Sequence, residues 1–104
     1  MEGADFCCDI KAMNKVERER YEVLRERLES AIEETKELES GYAFRLRSGT
    51  VSLMEVAEWV EKEHKCCPFF DFEIAVNRND GPVWLTLRGS EGVKPFMRME
   101  FGVR

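Results

Sequence analysis

Glu63-His64-Lys65-Cys66-Cys67-Pro68-Phe69-Phe70-Asp71-Phe72 is the stretch on which the fold turns. It holds two of the four cysteines, the only histidine and three of the seven phenylalanines. Pro68 disfavours helical geometry at Cys67, so a helix arriving from upstream has to stop there. Directly after it, Phe70, Phe72, Ile74 and Val76 alternate with Asp71 and Glu73, which is the period of a strand with one buried face. The chain's reactive side chains therefore sit at a helix-to-strand junction.

Upstream of the junction, Ser52-Leu53-Met54-Glu55 has the spacing of a capping box and opens that helix. At 100° per residue, Leu53, Val56, Ala57 and Val60 fall in one sector, and the same phase carries His64 and Cys67 to the buried side. Cys66 falls on the flank beside Trp59 and Glu63, so the two thiols are expected in different surroundings.

Downstream, Asn77-Arg78-Asn79-Asp80-Gly81-Pro82 is rich in residues that tolerate positive φ. Val83, Leu85 and Leu87 then alternate with Trp84, Thr86 and Arg88, completing an antiparallel hairpin. A short final helix is predicted from Lys94 to Phe101, with Pro95 in its first turn.

Towards the N-terminus, Tyr42-Ala43-Phe44-Arg45-Leu46-Arg47 alternates strictly and reads as a strand. Before it, Asn14 and Glu17 mark a helix start, and Tyr21, Leu24, Leu28, Ala31, Ile32 and Leu38 form an apolar stripe. That stripe predicts a helix of about six turns, stopped by Ser40-Gly41. The cluster Glu33, Glu34, Glu37 and Glu39 is expected on its solvated face. Residues 1–13 form an arm whose Phe6, Ile10 and Met13 require burial against the body.

Residues 1–104 are thus read as a single α+β domain with an N-terminal arm. Its small sheet is three-stranded, at 42–47, 70–76 and 83–88, covered on one face by helices in the order α-β-α-β-β-α. The first two strands are either parallel neighbours or separated by a strand of the hairpin. The opposite sheet face carries Arg45, Arg47, Asp71, Glu73, Trp84 and Arg88, and the exposed indole suggests a homodimer contact.

Composition sets outer limits on function. The formal charge is −5, neither half of the chain is basic, and the charges are interleaved, which argues against nucleic-acid binding through phosphate neutralisation. No apolar run approaches a membrane span, and the N-terminus lacks the features of a secretory signal. Cytoplasmic residence, with reduced cysteines, is the expectation.

There is no Cys-x-x-Cys, glycine-rich phosphate loop, Gly-x-Ser-x-Gly or His-Glu-x-x-His in the chain. Two vicinal pairs remain, Cys7-Cys8 and Cys66-Cys67. Thiolate and imidazole are the donors that Zn(II) and other thiophilic metals prefer. Cys8, His64, Cys66 and Cys67 are the candidate ligands, provided the arm folds over the helix end.

Three readings stay open on these residues alone. They are a metal centre, a redox or nucleophilic thiol site, and a non-catalytic interaction domain whose cysteines fill the core. A Cys–His enzyme would lack an evident orienting residue.

Cys8-Asp9, Ala12-Met13, Gly41 to Leu46, Glu63, Cys66-Cys67-Pro68-Phe69 with Phe72, and Gly81 to Leu85 together resemble a group of small bacterial proteins with a Cys-Cys-Pro-Phe motif. The resemblance covers most of the chain. It implies a bacterial origin and a stand-alone domain, and it carries no assigned activity.

Overall fold

Asn14 and Ser52 open the two long helices, and each does so through a reciprocal capping box. The computed structural model describes residues 10–79 and 81–101. After a 3₁₀ turn at Ile10–Ala12, helix α1 spans Lys15–Ala31. The Asn14 side chain accepts from the Glu17 amide at 2.8 Å, and Glu17 accepts from the Asn14 amide at 3.0 Å. Helix α2 spans Leu53–Cys66 and repeats the arrangement with Ser52 and Glu55, at 3.1 and 2.9 Å. Each box satisfies amides that a helix start otherwise leaves unpaired.

Helix α1 stops seven residues earlier than its stripe predicts. Ile32 turns to φ −68°, ψ 120°, and Ile32–Glu37 forms strand β1. Continued as helix, Glu29, Glu33 and Glu37 would stack at four-residue spacing, where like charges repel. As a strand, the segment sets Glu33 and Glu34 beside Arg45, and Glu37 beside Lys94. Of the cluster predicted on a helix face, Glu33, Glu34 and Glu37 instead form an ion-paired sheet edge, and Glu39 follows in the connection to the next strand. Residues 38–40 then connect β1 to strand β2, Gly41–Leu46.

Among the described residues the sheet accordingly has four strands rather than three, and the element order is α-β-β-α-β-β-α. Strands β3 (Asp71–Val76) and β4 (Val83–Arg88) form the expected hairpin, with Asn79 at φ 59° in its turn. The spatial order is β1-β2-β4-β3, antiparallel throughout. Of the two arrangements open from sequence, the hairpin strand intervenes: β4 lies between β2 and β3. Gly41 has a tighter reason to be glycine than ending a helix. A Cβ there would lie 1.8 Å from the Leu87 carbonyl oxygen across the ladder.

Tyr42, Phe44, Leu46, Leu85 and Leu87 form the buried sheet face. Helix α3, Val93–Phe101, closes over it as predicted, with Phe101 against Phe44, Trp59 and Phe70. The other face is stitched by charge: Arg88 meets Glu73 at 3.5 Å, and Lys36 Nζ lies 4.8 Å from the centre of the Trp84 ring. Among the described residues, no helix is long and apolar enough to cross a membrane.

Helices α1 and α2 run antiparallel, locked by ion pairs along their seam. Glu17 pairs with Lys65, Arg20 with Glu58 and Arg27 with Glu55. Arg20 grips Glu58 with two nitrogens at 2.9 Å each, the bidentate geometry that makes arginine–carboxylate pairs strong. That fork, aided by Lys62, holds the Glu58 carboxyl down to about 2. A folded-state value below the unfolded one contributes stability above the ordinary carboxylate range, and the contribution is lost as pH falls through about 2. Glu58→Gln should therefore lower the urea midpoint at neutral pH. The gap from wild type should close as unfolding is repeated at progressively lower pH.

Candidate metal centre

Four polar groups meet where α1 and the end of α2 touch: Tyr21, Glu63, Cys66 and Cys67. All four side chains are sealed from solvent. Tyr21 lies on the buried stripe of α1, with Leu24, Leu28 and Ala31. Its hydroxyl donates to Glu63 Oε1 at 2.6 Å.

Helix α2 buries Val56, Trp59, Glu63 and Cys66. This sector is rotated by about 90° from the predicted one, leaving Leu53, Ala57 and His64 exposed. The large indole of Trp59 decides the phase by packing on Phe72 and Phe101. Glu63 follows it inward because Tyr21 supplies a donor there.

The two thiols do share an environment, contrary to the reading from the helical wheel. Cys66 ends α2, and Cys67 caps it at φ −131°, ψ 71° with its amide donating to the Glu63 carbonyl at 2.7 Å. Because Pro68 ejects Cys67 from helical geometry, its side chain no longer follows the wheel. The Cys67 sulfur lies 4.0 Å from that of Cys66, which in turn lies 4.0 Å from Glu63 Oε1.

One ligand atom each from Glu63, Cys66 and Cys67 can be chosen so that all three lie within 4.8 Å of one another. Among the described residues, no other trio of histidine, cysteine and carboxylate side chains converges in this way. Two sulfurs bound tetrahedrally to one zinc ion lie about 3.8 Å apart, given bonds of about 2.3 Å. The observed spacing is within a few tenths of an ångström of that edge.

Burial pushes the Glu63 carboxyl up from its ordinary range, against the opposing pull of the Tyr21 hydroxyl and the Cys67 thiol. Burial likewise raises the Tyr21 hydroxyl, reinforced by the Glu63 charge. Oε2 of Glu63 is buried with no partner of full hydrogen-bond geometry. A buried carboxylate oxygen in that condition carries a desolvation cost that a cation would offset.

Of the residues singled out from sequence, Cys66 and Cys67 come together. His64 does not join them: it is exposed, its ring edge-on to Phe72 at 6.2 Å between centroids. Cys7 and Cys8 lie outside the described residues, as does Phe6. The 3₁₀ turn that follows them packs beside α2, and the Glu17–Lys65 pair sets the start of α1 at the thiol end of α2.

Glu63 and Tyr21 went unrecognised as site residues. The available signal was spacing, since Glu63 precedes Cys66 and Cys67 by three and four residues, one helical turn. Comparison with models of protein families, with curated proteins and with solved structures gave no match.

Tyr21→Phe removes the hydroxyl from a buried carboxyl and should cost about 1–3 kcal/mol of stability. Glu63→Gln keeps an acceptor for Tyr21 while removing the buried charge, so it should be neutral or stabilising in the metal-free protein. Paired urea titrations, with unchanged m-values, check both expectations.

Proposed function

We propose that the protein binds a thiophilic divalent cation of the zinc class at a closed site, through Glu63, Cys66 and Cys67, with Cys8 as a further donor. The carrying observation is a fully buried carboxylate, one oxygen of which lacks a partner of full hydrogen-bond geometry, beside two converging sulfurs. Thiolates with a carboxylate oxygen suit zinc better than a hard cation that prefers oxygen throughout. The burial of Glu63, Cys66 and Cys67 favours a structural role, because catalytic sites keep one coordination position open.

Two competing readings fit less well. A redox disulfide between Cys66 and Cys67 would join adjacent residues, whose Cα atoms are about 3.8 Å apart, below the separation that unstrained disulfides adopt. Cysteines serving only as core filler would account for their burial. They would not account for a carboxylate placed among them. The antiparallel pairing of α1 and α2 brings the arm's attachment point to the thiols, which supports Cys8 as a donor.

Cobalt(II) titration of the reduced protein tests the reading. One equivalent should bind with thiolate-to-cobalt charge-transfer absorption and the intense visible bands of tetrahedral coordination. Cys66→Ser and Cys67→Ser should each abolish the charge-transfer signal or sharply reduce it. Glu63→Gln should weaken binding by about tenfold or more, while His64→Ala should leave it unchanged. Chelation should lower the thermal midpoint of wild type, since a ligand bound to the native state stabilises it by mass action. Weak octahedral bands alone, or a spectrum that depends on His64, would contradict the proposal.

A further inference from the structure

Exposed apolar side chains occur on α1 (Val16, Val23), α3 (Met99), the start of α2 (Leu53, Met54) and the end of β3 (Val76), and the last two groups bear on the sheet edge. Leu53 is 47% exposed, Met54 82% and Val76 59%. On α2, Leu53, Ala57, Val60 and His64 fall within about 60° of one another, on the flank away from the residues that pair with α1. The His64–Phe72 ring contact shows that this flank stands over β3.

Among the described residues, strand β3 is an edge of the sheet, as is β1, but the two edges differ in kind. Strand β1 carries Glu33, Glu34, Lys36 and Glu37 with a register irregularity between Ile32 and Glu34. Charge and bulging of that sort discourage another strand from adding. Strand β3 is regular and free of proline and lysine, and it presents Phe72, Ile74 and Val76 beside a row of outward backbone groups. The open sheet face is a poorer docking surface. Its Arg45, Arg88 and Trp84 are already engaged by Glu33, Glu34, Glu73 and Lys36.

We infer that two copies of the chain associate through β3, antiparallel about a two-fold axis at Ile74, to give a continuous eight-stranded sheet. The strand itself selects this register. A two-fold axis perpendicular to the sheet keeps core face with core face, so residues of like parity must oppose one another. With the axis at Ile74, that residue meets the partner's Ile74, and Phe72 meets the partner's Val76. On the open face Glu73 meets the partner's Ala75.

An axis at Glu73 would oppose two glutamates, and one at Phe72 would set Asp71 against the partner's Glu73. Like charges placed directly opposite destabilise a strand pair. An axis at Ala75 would leave only three strand residues in register. The Ile74 and Glu73 axes each pair five strand residues, and of the two only the Ile74 axis opposes no two acids. It also brings the two exposed α2 flanks towards each other above the extended sheet.

Sedimentation equilibrium over a concentration series, with circular dichroism to confirm the fold, tests this assembly. Wild type should reach twice the mass of one chain, and Val76→Lys should raise the dissociation constant by about tenfold or more. Ala75 gives the register test because it is exposed and both changes occupy the same position. Ala75→Glu places a second carboxylate opposite Glu73 at two symmetric points and should weaken association by about fivefold. Ala75→Lys should tighten it by a similar factor. A single-chain mass at every concentration would overturn the inference, as would a dimer indifferent to Val76→Lys. Both Ala75 variants shifting association in the same direction would also overturn it.

Discussion

The Tyr21 hydroxyl reaches from α1 to the Glu63 carboxylate on α2, and both groups are sealed from water. A carboxylate buried without partners would cost several kcal/mol, so this short bond fixes how the helices can meet. If α2 turned about its axis, Glu63 would leave its donor. If it slid along α1, the peripheral pairs Glu17–Lys65, Arg20–Glu58 and Arg27–Glu55 would break together. Those outer pairs are half-exposed and individually modest in energy, so their contribution is chiefly to register. Trp59 sets the phase, the buried Tyr21–Glu63 pair holds it, and that phase carries Cys66 inward beside Glu63.

That dependence explains which parts of the structure were legible in the sequence. Strands β2, β3 and β4 showed through because an apolar face alternating with charge is a local pattern, and burial on one side is enough to enforce it. The capping boxes at Asn14 and Ser52 are local as well. Strand β1 was hidden because Ile32 and Leu38 extend the stripe of α1 by coincidence of spacing, with no glycine or proline to mark the break. What ends the helix is tertiary: Arg45 and Lys94 offer the glutamates partners only once β2 and α3 are in place.

The site was half legible for a related reason. Cysteines announce themselves by type, but wheel arithmetic assumes that charged residues face out and that a helix keeps its phase to its last residue. Glu63 violates the first assumption because Tyr21, 42 positions away, satisfies it. Cys67 violates the second because Pro68 expels it from the helix and returns its sulfur to Cys66. His64 drew attention as the lone imidazole. Its exposure follows from Trp59 taking the buried sector, which turns the flank with Leu53 and Ala57 outward beside the β3 edge.

In the proposed site Glu63, Cys66 and Cys67 surround one ion. X-ray absorption at the zinc edge, on reduced protein loaded with one equivalent and freed of excess metal, tests it most directly. The expected first shell has at least two sulfurs at about 2.3 Å and an oxygen at about 2.0–2.2 Å, with the sulfur contribution diminished in Cys66→Ser. A shell of oxygen and nitrogen alone, or failure to retain zinc through removal of the excess, would contradict it.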